Sequence, residues 1–383
     1  MSPITAPTRQ TARLIVAASE SDANLLYATR FFAPDPFIFF LHRRKKTVIL
    51  SDLEIDRARR QAEVDEVLSL SQVEKILKQS GRKQVDQAAV IRAVLGSRGI
   101  RTVEVPYRFP AGLLKRLQQT GLHVSVKPDP FFEEREIKSA WEIRQIQSAQ
   151  RAAEASLAVA IDLIRRSRKG PGGYLLLRGS RLTSERVRQQ IAVTLLQLGY
   201  TADHTIVAGG KQGCDPHEEG SGPLRANQPI IIDIFPRSLS TGYWGDITRT
   251  VVRGQASERT KAAFQAVLAA QRMALKNLRA GIAGATIHRA VQDSFQQARF
   301  VTGEQSGRMQ GFFHGTGHGV GLEIHERPRI GSRTEDLLRT GHVVTVEPGL
   351  YYAGMGGVRL EDLVVVTASG IRNLTQFPKI LEV

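Results

Sequence analysis

A carboxylate stands inside an otherwise apolar run, Pro229-Ile230-Ile231-Ile232-Asp233-Ile234-Phe235. The β-branched residues read as a buried strand, and an aspartate in such a strand is costly unless it is paired or bound to a cation. Asp246 follows in Gly242-Tyr243-Trp244-Gly245-Asp246-Ile247, beyond a turn-rich stretch from Pro236 to Gly242. A hairpin centred on that stretch would set Asp233 opposite Asp246. Like charges directly opposite destabilise a sheet, so something positive is expected between them. The arrangement recurs. Glu347 ends Val343-Val344-Thr345-Val346, and Glu361 follows Val358-Arg359-Leu360, with Gly354, Gly356 and Gly357 in the connection. A single acid in a strand is ordinarily solvent-facing or salt-bridged. Two opposed pairs in one region point instead to bound cations.

Histidines accompany the acids. His314-Gly315-Thr316-Gly317-His318-Gly319-Val320-Gly321 spaces two imidazoles four apart, and its glycines disfavour a helix. In an extended segment that spacing still puts both side chains on one face. His325 follows in Leu322-Glu323-Ile324-His325-Glu326, and His217 lies in the Gly/Pro-rich loop 209–222. Carboxylates and imidazoles without sulfur make a hard to borderline donor set, suited to Mn, Fe, Co or Zn. Four carboxylates overcharge one divalent ion with an open position. Two ions roughly 3.5–4 Å apart, bridged by carboxylates and a water, balance them.

The 383 residues suit two domains. Residues 1–135 read as a small α/β domain, with strands at Arg13–Ala18, Phe37–Leu41 and Thr47–Leu50 and helices at Val64–Leu77, Ala88–Leu95 and Ala111–Gln119. Pro128 and Pro130 then punctuate the chain. Ser139 and Glu142 make a capping-box pattern, and the apolar spacing behind it predicts a long amphipathic helix from 139 to 166, opening a second domain at 136–383. There, helices at Ser184–Leu198, Ser257–Leu278 and Thr286–Phe300 alternate with strands at Thr205–Ala208, Pro229–Phe235, Tyr243–Val252, His342–Val346, Leu350–Tyr352, Gly357–Leu360 and Leu363–Thr367. The expected class is α+β, with helices covering one face of a curved antiparallel sheet.

The apolar runs are too short to span a bilayer, and no basic n-region precedes an apolar stretch at the N-terminus, so neither a membrane partner nor a signal peptide is expected. Cys214 is the single cysteine, which fits a reducing compartment, the cytoplasm. The net charge of +16 raises the question of nucleic acid. Its densest patch, 165–188, sets eight basic residues against Glu185 without aromatic interleaving and reads as a solvated face, so no nucleic-acid partner is expected. A nucleophilic Cys214 would need an activated thiolate and a base. His204 and His288 have no place in the acid–histidine pattern and read as structural.

Four segments carry a resemblance: IIDIFPRSLSTGYWGDITRT, HGTGHGVGLEIHE, VVTVEPGLYY and GVRLED. Together they resemble the signature of the creatinase, aminopeptidase P, prolidase and methionine aminopeptidase superfamily. The helix EIKSAWEIRQIQSAQRAAEASL resembles the one that opens its pita-bread domain, and ANLLYATRFFA resembles the start of a creatinase-like N-terminal domain. The resemblance implies that Asp233 chelates one of two divalent ions, that Asp246 and Glu361 bridge both, and that His318 and Glu347 complete the second. Manganese is the implied metal, with Co, Zn or Fe as alternatives. His217, His314 and His325 would line the substrate site, with His325 stabilising the oxyanion and Glu347 moving the proton. Arg359 matches a family arginine that holds either a metal-site or a substrate carboxylate. Phe235-Pro236 departs from the glycine the family often carries two positions after its first aspartate, so that turn is expected to differ.

The implied activity is hydrolysis of Xaa-Pro bonds in a proline-containing peptide. The length resembles prokaryotic prolidases and favours an Xaa-Pro dipeptidase over an aminopeptidase P acting on longer peptides. An N-terminal domain argues against a methionine aminopeptidase. The family also implies a homodimer, and it includes non-catalytic binding modules, which usually lose metal ligands that this chain keeps.

Overall fold

The computed structural model describes residues 11–383 and divides the chain into two units that meet at Arg135/Glu136. Residues 1–10, with which the expected first domain begins, lie outside the described residues.

The first unit is built on a six-stranded mixed sheet. Its strands are β1 (Thr11–Ala17), β2 (Phe37–His42), β3 (Lys45–Leu50), β4 (Glu66–Ser69), β5 (Thr102–Pro106) and β6 (His123–Lys127), in the order β4-β3-β2-β1-β5-β6. Alternate residues serve opposite faces. Leu14, Ile38, Phe40 and Ile49 join one core, while Ile15, Phe37, Phe39 and Val48 join another. Covering both faces takes helices α1 (Ala23–Thr29), α2 (Ile55–Gln61), α3 (Leu70–Gln79), α4 (Gln87–Ser97) and α5 (Ala111–Gln119). The helix expected from Val64 begins only at Leu70. Residues Glu66–Ser69 instead run parallel to β3, and the Ser69 hydroxyl then accepts from the Gln72 amide to start α3. The helices α1 and α2 and the strands β5 and β6 were not among the elements expected from the sequence.

In the second unit the long helix α6 (Ala140–Arg166) opens on the capping box of Ser139 and Glu142. Helices α7 (Ser184–Gln197), α8 (Glu258–Asn277) and α9 (Gly284–Gln297) follow. Strands β7 (Ile206–Gly209), β8 (Pro229–Ile234) and β9 (Ile247–Val252) form one antiparallel sheet, and α6 and α7 share its core. A five-stranded antiparallel sheet contains β10 (Gly317–Gly319), β11 (Glu326–Ile330), β12 (Val343–Val346), β15 (Asp362–Val366) and β16 (Ile371–Asn373), and α8 and α9 pack in its core. Between β12 and β15 the chain makes a hairpin of β13 (Gly349–Tyr352) and β14 (Gly356–Arg359).

Thr248 and Thr250 of β9 join this hairpin to the first sheet. The Thr250 hydroxyl donates to the Arg359 carbonyl and accepts from the Arg359 amide, while the Glu361 amide donates to the Thr248 carbonyl. Acids from both sheets therefore converge on one place.

One expectation fails here. Asp233 pairs with Thr248, not Asp246, and β9 begins only at Ile247. The chain before it leaves the sheet to pack on α6: a Cβ on Gly245 would lie 2.6 Å from the Ala149 and Gln150 backbone, and the Asp246 amide donates to Gln150 Oε1 at 2.8 Å. In the second pair the register Val346↔Asp362 carries Glu347 and Glu361 out of adjoining strand ends side by side.

Candidate active site

Asp233 projects from β8 into the junction of the two sheets. Its Oδ2 accepts from Arg359 Nη2 at 2.6 Å, and its Oδ1 is buried with no hydrogen-bond partner among the described residues. An orphaned buried carboxylate oxygen calls for a cation. Asp246, His318 and Glu361, all buried, bring one donor atom each to within 4.8 Å of one another. Glu361 Oε2 also accepts from the Thr248 hydroxyl at 2.7 Å.

His318 Nε2 lies 3.2 Å from Glu347 Oε1 and 3.7 Å from Asp246 Oδ2. Its Nδ1 is 3.2 Å from the Gly319 carbonyl, which can only accept, so Nδ1 carries a hydrogen. Nε2 then faces two carboxylates, and a proton or a metal ion must sit between them. Burial pushes Asp246 and Glu361 well above the usual carboxylate range, with the neighbouring acids adding to it, and burial raises Asp233 as well. Burial acts the same way on Glu347, but His318, His314 and Arg359 outweigh it and hold its carboxyl at about 2. Divalent cations would remove the penalty the other three carry.

Arg359 is buried and spends its donors inside the protein. Nε reaches the Thr248 hydroxyl at 3.3 Å, and Nη1 reaches the Pro216 carbonyl at 3.2 Å and the Tyr351 hydroxyl at 2.9 Å. Tyr351 in turn lies 2.9 Å from His314 Nε2, and His314 Nδ1 lies 2.7 Å from the Gly315 carbonyl. Since that carbonyl must accept, the chain has one direction: Arg359 donates to Tyr351, Tyr351 to His314, and His314 to Gly315. Burial lowers His314 to about 4 and raises the Tyr351 phenol to about 12, in keeping with a neutral imidazole and a protonated phenol.

His325 is exposed, and its ring packs edge-on to His318 with centroids 4.4 Å apart. Partial burial, then the charges of His318 and Arg329, bring it to about 4. His217 is exposed in its loop and close enough to act on the charge of both His314 and His325. All the sequence-predicted site residues thus gather in the second unit. Tyr351, Thr248 and Arg329 were missed. Tyr351 read as an ordinary strand residue. Arg329 is cross-strand from His318 in the β10–β11 ladder, and residues opposite each other share a face; its only sequence signal was its place four residues after His325.

The remaining candidates have structural surroundings. Burial raises the Cys214 thiol, which donates to the Tyr352 carbonyl at 3.2 Å. His288 is buried against the Thr316 hydroxyl at 2.9 Å, and His204 lies 2.7 Å from Glu219. No helix among the described residues is long and apolar enough to cross a membrane.

Residues 144–368 match the metallopeptidase family M24. The chain is 32% identical over 283 residues to an Xaa-Pro dipeptidase of Pyrococcus horikoshii, covering 73% of this chain and 74% of that one. Among solved structures, an X-Pro aminopeptidase from Thermotoga maritima superposes with a TM-score of 0.82 at 25% identity, over 97% of both chains. Prolidase from Pyrococcus furiosus does so with a TM-score of 0.77 at 23% identity, over 96% of this chain and 97% of that one, a likeness of fold. With a pita-bread architecture and this assembly of acids and histidines, the chain belongs to the metallopeptidase family M24.

Proposed function

We propose that this protein is a dinuclear-metal Xaa-Pro dipeptidase in which Asp233, Asp246, His318, Glu347 and Glu361 hold the metals. The observation that carries the reading is the unpartnered, buried Asp233 Oδ1 beside three buried donors within 4.8 Å of one another. The oxygen-rich set with one imidazole favours Mn, with Co, Zn or Fe able to substitute. When bound, the ions polarise the scissile carbonyl and acidify a water.

The chain's own groups do the rest. Glu347, ionised at neutral pH, takes the proton from the attacking water and delivers it to the leaving nitrogen. That delivery matters because a proline nitrogen carries no hydrogen before cleavage. His325, neutral at pH 7, donates to the carbonyl oxygen as it gains charge. His217 positions the substrate from its exposed loop. His314 lines the pocket, its ring fixed by Tyr351 and Gly315. Arg359 holds Asp233 rather than the substrate. The exposed Arg329 is the group on this face suited to a free proline carboxylate, and it favours a dipeptide substrate.

Residues 1–135 and 136–383 are read as a creatinase-like domain and the catalytic domain. The single cysteine supports a cytoplasmic enzyme, and we infer a homodimer from the family resemblance. A second reading, an aminopeptidase P that takes longer peptides, is favoured by the 0.82 TM-score to the Thermotoga maritima X-Pro aminopeptidase. The test is a peptide panel assayed with Mn and with chelator. The dipeptidase reading expects metal-dependent cleavage of Ala-Pro and little cleavage of Ala-Pro-Ala, whereas preference for the tripeptide establishes the second reading. Full turnover of Ala-Pro by Glu347→Ala would remove Glu347 from its role.

A further inference from the structure

A buried glutamine on α8 touches both strand ends that present the glutamates. Gln271 is fully buried, and its Nε2 donates to the Val346 carbonyl at 2.9 Å and to the Leu360 carbonyl at 3.1 Å. Val346 immediately precedes Glu347, and Leu360 immediately precedes Glu361. One amide group therefore bridges the two backbones at the last residue before each carboxylate. Two carbonyls can be satisfied only by a donor, so the orientation of the amide is fixed. Its Oε1 is left buried with no hydrogen-bond partner among the described residues.

The amide satisfies two carbonyls and leaves one acceptor unsatisfied, whereas an apolar side chain of similar size would leave both carbonyls without this donor. Around Gln271 the α8 face is apolar: Val267, Leu268, Ala270 and Ala274 are all buried in the same core. The polar group there is therefore spent on the two strand ends that carry the glutamates.

We propose that Gln271 is a positioning residue that sets the separation of Glu347 and Glu361, and through it the affinity and geometry of the metal pair. This rests on the reading that both glutamates are metal ligands. Glu347 and Glu361 stand at the interruption between the β12–β15 and β13–β14 ladders, which share one register from Val346↔Asp362 to Gly349↔Arg359. Across that interruption the backbone offers the Leu360 amide to the Pro348 carbonyl at 3.5 Å. The amide of Gln271 adds a crosslink from the α8 side, to the carbonyl preceding each glutamate. Groups that orient ligating residues from outside typically change metal affinity 10–100-fold when removed.

The test measures Mn binding to the full-length, metal-stripped protein by calorimetry and, in parallel, the visible absorption of the Co(II) form. Gln271→Met keeps the volume and removes the donor. Its expected result is Mn affinity weakened roughly tenfold or more, a changed Co(II) spectrum, and lower kcat with KM for Ala-Pro nearly unchanged. Val267→Ala, four residues earlier on the same buried face, is the control: it loses stability but keeps wild-type Mn affinity and spectrum. If Gln271→Met does not fold, Gln271→Asn, which draws the amide back by one methylene, carries the same expectation. Wild-type Mn affinity and Co(II) spectrum in the folded Gln271 variant overturn the proposal, and so does an equal loss in Val267→Ala. Failure of the wild-type protein to bind Mn refutes instead the ligand reading on which the proposal rests.

Discussion

Arg359 and Asp233 lie 126 residues apart in sequence and meet at 2.6 Å, with side chains 4% and 13% exposed. The guanidinium occupies one aspartate oxygen and leaves the other free to face the neighbouring acids. Breaking such a buried pair by removing one partner typically costs about 3–5 kcal/mol, because the remaining charge is stranded. Arg359→Met is therefore expected to lower the Tm and to weaken Mn binding. Arg359→Lys is expected to rescue only part of the loss, since an ammonium cannot reach Asp233, Tyr351 and Thr248 together as the guanidinium does. A lysine variant with wild-type Tm and Mn affinity would show that the fork is unnecessary.

Metal removal should destabilise the protein, and more so at alkaline pH. Asp246 and Glu361 ordinarily titrate at 3.8 and 4.5, and in the fold both are raised well above those values. A carboxyl with a raised folded pKa contributes fully below its ordinary value, and that contribution is lost as pH rises through the folded one. The metal-free centre is thus penalised at pH 8 relative to pH 5.5. Metal binding, which needs the deprotonated ligands, strengthens over the same range. At a Mn concentration of about 100 Kd the stabilisation is roughly 2.7 kcal/mol. Thermal melts with Mn and with EDTA at both pH values check this. A Tm gap that is no wider at pH 8 contradicts the assignment of these acids as ligands.

His342 offers a pH effect away from the four site acids, with Glu136 Oε2 at 4.0 Å from its Nε2. It is 1% exposed, its Nδ1 accepts from the Arg339 amide at 3.0 Å, and its Nε2 has no hydrogen-bond partner among the described residues. Burial, then the charges of Arg339 and Lys138, lower it from 6.5 to about 4. A depressed imidazole is neutral in the fold while the unfolded chain takes up a proton, so its contribution is complete above pH 6.5 and is lost as pH falls toward 4. The loss is on the order of 3 kcal/mol, taking about 1.4 kcal/mol per pKa unit. The Tm difference between wild type and His342→Gln should shift against the wild type over that window. A pH-independent difference would show that His342 is not the titrating group.

Much of this candidate site is legible in the sequence, and the reason is energetic. Asp233, Asp246, Glu347 and Glu361 interrupt apolar runs, and charge does not stay buried without a partner. Ser139 and Glu142 announced α6 because a capping box is local. What was not legible depends on contacts distant in sequence. The register Asp233↔Thr248 follows from Gly245 meeting the backbone of α6, which no pattern within residues 229–252 encodes. Tyr351 and Gln271 occupy positions whose neighbours are apolar. Their roles emerge only when Arg359 and His314 reach Tyr351 and when two strand ends meet Gln271.

Arg329 separates the dipeptidase reading from its alternative. It stands opposite His318 on β11, its side chain is exposed, and its charge reaches His325. Its backbone amide donates to Asp336 Oδ2, while Arg327 forms an ion pair with the other oxygen of that aspartate, so the β11 backbone is anchored independently of the Arg329 side chain. A hydrogen bond to a charged group contributes roughly 1.5–3 kcal/mol, or about 10–150-fold in binding. If the guanidinium receives the proline carboxylate, Arg329→Leu should raise KM for Ala-Pro by at least about tenfold with kcat within about twofold. It should leave Ala-Pro-amide, which has no carboxylate, nearly unaffected. Equal effects on the free acid and the amide would assign Arg329 to folding or to His325 instead. Wild-type kinetics on both would leave the open end of the site without a carboxylate receptor, the condition expected of an enzyme that accepts longer peptides.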